Sequence, residues 1–171
     1  QPAMTALARA ILTDLGKPDA PIWYTEAGWP SYDLSEEQVA RYAARSMLLA
    51  ARDEIEAYFW YTFYDGEPTT SGIRPHEDYF GLFGWPGDAD QPRGAKPAWF
   101  TMLALYRVLG EARFARDLGP ALGLPNDVHV LGFQRPDGSR VLACWDGRES
   151  PDVLDDWTDE GGPDTTYEVV I

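Results

Sequence analysis

The sequence predicts an α/β protein in which helices alternate with short strands, followed by a stretch of antiparallel strands. Three stretches carry apolar residues at helical spacing, and two runs of aromatic and β-branched residues lie between them. Strands that alternate with helices form parallel sheets joined by right-handed crossovers. The chain has 171 residues, of which 44% are hydrophobic, so it can bury a core of ordinary size.

The first predicted helix covers residues 3–15. Gly16 suits the left-handed backbone position that ends a helix, and Pro18 prevents the helix from continuing. The apolar residues recur on one side, which we expect to pack inward: Leu7, Ile11, Leu12 and Leu15.

A short strand follows over residues 22–26, and Gly28 with Pro30 ends it. Glu26 is therefore predicted at the last position of the strand. In barrels of parallel strands, catalytic groups lie at the carboxyl ends of the strands. An acidic residue at such an end, bracketed by aromatic side chains, is a candidate functional group; a loop glutamate beside incidental aromatics is the alternative.

The second predicted helix begins at a capping box, in which Ser35 and Gln38 satisfy each other's backbone amides. Its apolar stripe continues to about Asp53 through Val39, Ala43, Met47 and Leu48. The next run, residues 57–64, is so rich in aromatic residues that it predicts a strand buried on both faces.

A long connection, residues 67–96, precedes the third predicted helix, residues 97–109. Pro97 suits the first turn of a helix because its missing N–H has no partner there. The inner side of this helix is predicted to consist of Ala98, Met102, Leu105, Tyr106 and Leu109. The connection contains His76, Glu77 and Asp78, but adjacent residues cannot converge on one metal ion without a turn, so we interpret them as loop polarity.

The remaining sequence changes character after Gly110. Residues 128–134 and 140–145, joined by an Arg-Pro-Asp-Gly turn, predict an antiparallel hairpin. Cys144 lies in an apolar run and is expected to be a small buried residue. Residues 167–171 form a further strand-like run.

The composition excludes several classes of partner. The net charge is −14, which repels phosphate backbones and anionic lipid surfaces, so we expect neither nucleic-acid nor membrane binding. An uncharged partner such as a sugar is unaffected. No motif indicates a cofactor.

Three motifs in order resemble a known superfamily. Thr-Glu-x-Gly-Trp at residues 25–29, Phe-Gly-Leu-Phe at residues 80–83 and Lys-Pro-Ala-Trp at residues 96–99 resemble the end of clan A retaining glycoside hydrolases. The resemblance implies the C-terminal part of a (β/α)8 TIM barrel, followed by an antiparallel β-sandwich segment. Residues 1–110 would hold the last β/α units, and residues 111–171 the start of an accessory β-sandwich.

The same resemblance assigns roles. Glu26 would be the nucleophile that attacks a sugar's anomeric carbon. The general acid/base of the superfamily lies on another strand after an Asn, and no Asn-Glu pair occurs in this chain. A complete barrel needs about 250 residues. We therefore expect the chain to be a piece of a longer polypeptide, and to need the rest of the barrel for activity on an oligo- or polysaccharide.

Aromatic residues near Glu26 are candidate sugar contacts. Period-two alternation predicts that Tyr24 and Glu26 point into the barrel while Trp23 and Thr25 face the helices. The resemblance places a Trp at the end of the following strand, under the sugar that is cleaved. This would be Trp60, or Tyr61 if the register slips by one residue. The remaining candidate contacts are Trp29, Tyr64 and Asp65.

Two other functions stay open. One is a non-catalytic carbohydrate-binding or scaffold protein built on a barrel fold. The other is an unrelated barrel enzyme, such as a phosphate-binding one, which is disfavoured because no Gly-rich phosphate-binding loop follows the last predicted strand.

Overall fold

A computed structural model describes residues 2–67, 75–85, 87 and 94–147 of the chain. Its elements, in chain order, are α1 (Pro2–Asp14), β1 (Trp23–Ala27), α2 (Glu36–Arg52), β2 (Ala57–Trp60), a 3₁₀ helix (Pro75–Tyr79), α3 (Pro97–Leu109), β3 (Arg113–Asp117), β4 (Val128–Gln134) and β5 (Arg140–Asp146). The fold is thus mixed α/β. The strand predicted at residues 167–171 lies outside the described residues.

The helix boundaries follow local rules. Gly16 has φ of 70° after α1, which is the left-handed conformation predicted for it. At the start of α2, the Gln38 amide donates to Ser35 Oγ at 3.2 Å, and the Ser35 amide donates to Gln38 Oε1 at 2.8 Å. The predicted capping box is therefore confirmed.

Strands β1 and β2 form a parallel two-stranded sheet, with α2 as the crossover between them. The Cα partners are Trp23 with Ala57, Tyr24 with Tyr58, and Ala27 with Trp60. The β1 segment from Tyr24 to Ala27 is one residue longer than its partner segment, so β1 carries a bulge there. The predicted β/α alternation with parallel strands is confirmed.

The predicted orientation of β1 is wrong. The Tyr24 hydroxyl hydrogen-bonds Thr5 of α1, and the hydroxyl of its partner Tyr58 hydrogen-bonds Ser46 of α2 at 2.7 Å. Both tyrosines therefore face the helices, where hydroxyl groups satisfy their polar ends. Burial raises the pKa of the Tyr58 hydroxyl. Trp23, expected on the helix side, instead lies on the opposite face and is 56% exposed.

The second strand is also shorter and more open than predicted. It ends at Trp60 rather than at residue 64, and Phe59 is 51% exposed. After Trp60 the backbone pairs with a returning segment instead: the Thr62 amide donates to Phe80 O at 3.1 Å, and the Leu82 amide donates to Thr62 O at 3.0 Å. These bonds take the chain out of the parallel sheet after Tyr61, whose amide still donates to Ala27 O.

Two buried clusters flank α2. The first joins α2 to α3 and the loop before it, and consists of Val39, Ala40, Ala43, Leu82 and Ala98. The second joins Leu48 of α2 to Leu131 and Phe133 of β4. Since α2 contributes to both clusters, the antiparallel strands pack against the same helix that crosses over between β1 and β2.

Two predicted inner helix faces differ from the structure. Leu7 and Ile11 of α1, and Leu15 just after it, are exposed, while Thr5 is buried against the sheet. In α3, Tyr106 is 72% exposed, whereas Met102, Leu105 and Leu109 pack on the two clusters as predicted. The spacing of apolar residues predicted these helices correctly, but it did not predict which of their apolar residues are buried by the rest of the described chain.

Strands β3, β4 and β5 form an antiparallel sheet in that order. The predicted hairpin is confirmed as β4 and β5, with Gly138 in the turn at φ of 85°. Strand β3 was not predicted. Cys144 is exposed, contrary to expectation, because alternation along β5 turns it away from the second cluster while Ala143 and Trp145 pack there. None of the described helices has the length and apolarity of a membrane span.

Candidate active site

Glu26 is presented by the bulge in β1. Strand β1 ends at Ala27, one residue beyond the prediction, and Ala27 is buried on the helix side opposite Trp60. The two residues of the bulge, Thr25 and Glu26, are both exposed between partly buried Tyr24 and buried Ala27, so both lie toward the open face. Bulges commonly re-aim a side chain beside a functional site. Here the extra residue lets Tyr24 face the helices and Glu26 face away from them.

Gly28 brings the ends of β1 and β2 into close contact. A Cβ at Gly28 would lie 2.1 Å from the Tyr61 carbonyl oxygen and 3.2 Å from a Phe80 ring carbon, so only glycine fits. The Tyr61 amide also donates to Ala27 O at 2.9 Å. The backbone directly after Glu26 is thereby fixed against the backbone of Tyr61.

Trp60 and Tyr61 lie in different environments. Trp60 is partly buried against the first cluster, and its indole N–H donates to Phe80 O at 3.1 Å. Tyr61 is 38% exposed and meets the Phe80 ring edge-on at 5.6 Å. Trp60 is thus a packing residue on the helix side, and Tyr61, the alternative register, is the aromatic residue that stays accessible beside Gly28.

Trp29 also belongs to the packed layer. Its ring lies 6.0 Å from the ring of Trp60 and 5.7 Å from that of Tyr42. Together with Tyr24, which bonds Thr5, it supports the strand ends from behind. Both residues are predicted sugar contacts, and in the structure both contact neighbouring residues of the fold.

The last two candidates, Tyr64 and Asp65, diverge. Tyr64 is exposed, and its ring packs edge-on against Phe63 at 4.9 Å. Asp65 is largely buried: its Oδ1 accepts from the Gly81 amide at 2.8 Å, and both its oxygens contact Lys96 Nζ, at 2.8 and 2.7 Å. In the described residues this carboxylate therefore contacts the Gly81 amide and Lys96, and its role as a sugar contact stays a prediction.

Lys96 joins the loops around the site. Besides Asp65, its ammonium group donates to Ser31 Oγ at 3.0 Å and lies 3.5 Å from Glu36 Oε1. Ser31 belongs to the loop after β1, and Asp65 belongs to the segment after β2. One cation therefore ties both loops to the start of α3. The Lys-Pro-Ala-Trp motif marked this residue in the sequence, but the motif alone did not reveal its partners.

In the described part of the chain, the side chains of His76 and Glu77 do not form part of a group of metal ligands. His76 Nε2 lies 3.4 Å from Glu77 Oε1, with both side chains more than a third exposed. Among the residues that the structure describes, no three His, Cys, Asp or Glu side chains are grouped closely enough to hold a metal ion.

Solved structures share this fold. The chain is similar to a family 39 glycoside hydrolase from the gut symbiont Bacteroides cellulosilyticus WH2, with a TM-score of 0.62 and 26% identity over 85% of the chain and 27% of that protein. It is also similar to SrfJ from Salmonella typhimurium, with a TM-score of 0.54 and 17% identity over 83% of the chain and 31% of SrfJ. At that identity only a common fold is shown.

A more distant similarity is to a GH5_18 protein from Bifidobacterium longum subsp. infantis, with a TM-score of 0.48 and 23% identity over 60% of the chain and 23% of that protein. It is too weak to support an argument. No protein-family model and no curated protein matches the chain. The chain is thus similar in fold to a part of a family 39 glycoside hydrolase. It spans about a third or less of the length of each of these three proteins.

Proposed function

We propose that this chain carries the nucleophile of a retaining glycoside hydrolase, and that Glu26 is that nucleophile. The observation that supports the proposal is the bulge in β1, which directs an exposed carboxylate to the open face of a parallel sheet beside an accessible aromatic residue, Tyr61. The fold similarity to a family 39 glycoside hydrolase supports the same class of reaction.

The proposed reaction has two steps. The Glu26 carboxylate attacks the anomeric carbon and forms a glycosyl ester, while a second carboxylic acid protonates the departing glycosidic oxygen. That second group, now a carboxylate, then deprotonates a water molecule, which attacks the anomeric carbon and displaces the Glu26 carboxylate. The released sugar keeps its original anomeric configuration. The second carboxyl must lie about 5–5.5 Å from Glu26. We propose that it comes from a strand outside this chain.

The open face of the sheet supports this view. Parallel sheets are ordinarily covered on both faces, yet Trp23, Phe59 and Tyr61 are exposed on the face opposite the helices. Closing a (β/α)8 barrel would cover this face and would surround Glu26 with the remaining strands. The rest of the barrel is therefore part of the proposed active unit, with the antiparallel strands as the start of an accessory β-sandwich.

The test is to label and replace Glu26 in the full-length protein. A mechanism-based 2-deoxy-2-fluoroglycoside should form an ester on Glu26, identified by peptide mass spectrometry. Glu26→Gln should abolish turnover while leaving the melting temperature unchanged. The matched control is Glu56→Gln: Glu56 accepts from the Trp23 indole at 2.7 Å, at the other end of the same sheet, and is not expected to support turnover.

Normal turnover by Glu26→Gln, or an ester on another residue, would refute the nucleophile assignment. A wild-type protein that binds oligosaccharides without cleaving them would instead favour the non-catalytic carbohydrate-binding alternative.

A further inference from the structure

A pair of tyrosines stands on the two loops that follow the strands of the site. The rings of Tyr32 and Tyr79 lie 5.4 Å apart with an angle of 42° between their planes. Tyr32 is 53% exposed, although it belongs to the short loop between Glu26 and α2. Tyr79 ends the 3₁₀ helix in the connection after β2. We call these two residues the tyrosine pair.

Hydrogen bonds connect the two loops that carry the pair. The Ser31 amide donates to Tyr79 O at 3.0 Å, and Ser31 Oγ donates to the same oxygen at 3.3 Å. Ser31 Oγ in turn accepts from Lys96 Nζ, which is anchored on Asp65. Both loops are therefore linked through Ser31 to one largely buried ion pair, which reduces the ordering that ligand binding would require.

The pair and Glu26 belong to the same end of the sheet. The loops after two neighbouring parallel strands emerge at the carboxyl edge of the sheet, which is also where Glu26 lies. Gly28, next but one to Glu26, contacts Phe80, and Phe80 directly follows Tyr79. The tyrosine pair is thus an extension of the site along its rim.

We propose that the tyrosine pair binds a sugar ring that lies beyond the point of cleavage, so that the natural substrate is an uncharged chain of several sugars. This proposal rests on the proposed glycosidase function. A tyrosine ring offers an apolar face for the C–H groups of a pyranose, and a hydroxyl group at its tip for the sugar's own hydroxyls.

The surrounding charge selects an uncharged chain. Asp33 directly follows Tyr32, and Glu77 lies two residues before Tyr79, within a chain whose net charge is −14. A uronic-acid polymer or another polyanion would be repelled from this rim, whereas a neutral glycan would not.

The experiment compares short and long substrates in the full-length protein. 4-Nitrophenyl glucoside, xyloside, galactoside and mannoside identify the sugar that is cleaved, and the neutral tetrasaccharide of that sugar is the long substrate. Tyr32→Ala and Tyr79→Ala should lower kcat/KM for the tetrasaccharide about 2- to 12-fold, as expected for one lost aromatic contact, and leave the nitrophenyl glycoside unchanged. Tyr32→Phe, which keeps the ring, should retain most of the activity.

Tyr106→Ala is the matched control, because Tyr106 is more exposed than Tyr32 and lies on α3 away from both loops. Tyr32→Leu serves as a second variant that keeps bulk at the position if the alanine variant folds poorly. Equal loss on both substrates, or no loss on either, would overturn the inference, as would a uronic-acid tetrasaccharide cleaved as well as the neutral one.

The two proposals fail separately. An active Glu26→Gln variant would remove the nucleophile assignment. If Glu26→Gln is inactive and Tyr32→Ala changes kcat/KM equally for the short and the long substrate, only the proposed role of the tyrosine pair is refuted. Binding of the tetrasaccharide to Glu26→Gln, with and without Tyr32→Ala, measures the contact without turnover, and equal affinities would also count against the pair.

Discussion

The ammonium group of Lys96 lies 2.7 Å from Oδ2 of Asp65, and each side chain is 11% exposed. This ion pair connects the residue before α3 with the segment after β2, and through Ser31 with the loop after β1. The loops around the candidate active site are therefore joined through one largely buried ion pair.

Removing one member of this pair should be costly. Asp65→Asn leaves Lys96 largely buried with a weaker partner, and we expect a loss of about 3–5 kcal/mol in the free energy of unfolding, as for other buried pairs broken on one side. Chemical denaturation of the full-length protein measures it. Glu77→Gln breaks the exposed contact with His76 and should change stability by no more than about 1 kcal/mol. Similar values for the two variants would contradict this account of Lys96.

Gly28→Ala tests the close contact between the strand ends. The added Cβ would meet the Tyr61 carbonyl at 2.1 Å, so the backbone after Glu26 must move. We expect a loss of about 1–3 kcal/mol, typical of overpacking, together with slower fluoroglycoside labelling of Glu26. Gly132→Ala is the control, because its nearest neighbour would lie at an ordinary 3.5 Å. A stable Gly28→Ala protein with normal labelling would show that the contact does not position Glu26.

Substitutions at Trp60 and Tyr61 should have different effects, one on stability and the other on sugar binding. Trp60→Ala removes a ring packed on the first cluster and should destabilise the protein by at least about 2 kcal/mol. Tyr61→Ala should weaken oligosaccharide binding and change the melting temperature little, because its ring is accessible. Calorimetric titration with an oligosaccharide and thermal unfolding of both variants show which of the two residues contacts the sugar. The reverse result would place the sugar contact at Trp60.

His129 predicts a dependence of stability on pH. Burial lowers its pKa, Arg52 and Arg45 act in the same direction, and Asp117 and Asp127 oppose them. The folded protein thus favours the neutral imidazole, which stacks on Trp145 at 4.6 Å. This contribution is complete above the unfolded pKa of about 6.5 and is lost as pH falls below it.

His129→Phe preserves a flat ring for stacking and removes the titration. Urea unfolding of the variant and the wild type should show a smaller loss of stability for the variant as the pH falls from about 7 toward 5. Parallel curves for the two proteins would refute the contribution of His129.

The features that follow local rules could be predicted from the sequence. Gly16, the Ser35 capping box and the Pro97 helix start depend on neighbours within a few residues, and all three are found. Parallel pairing followed from the order of helices and strands.

Features that depend on distant parts of the chain could not be predicted. The β1 bulge arises from its pairing with β2, and without it simple alternation sends Tyr24 to the wrong face. Lys96 meets Ser31 and Asp65 only after the loops have folded. Which residues of α1 are exposed depends on the elements packed around the helix, and the spacing of its apolar residues does not predict this.

Leu48 of α2 packs against Leu131 and Phe133 of β4. The same helix supplies Val39 and Ala43 to the cluster beneath the candidate active site. A polypeptide that ends after Gly110, at the boundary expected between barrel and sandwich, would expose the apolar surface of α2 around Leu48. A shortened version of the protein should therefore retain β3 to β5, since their removal would expose Leu48 and promote aggregation.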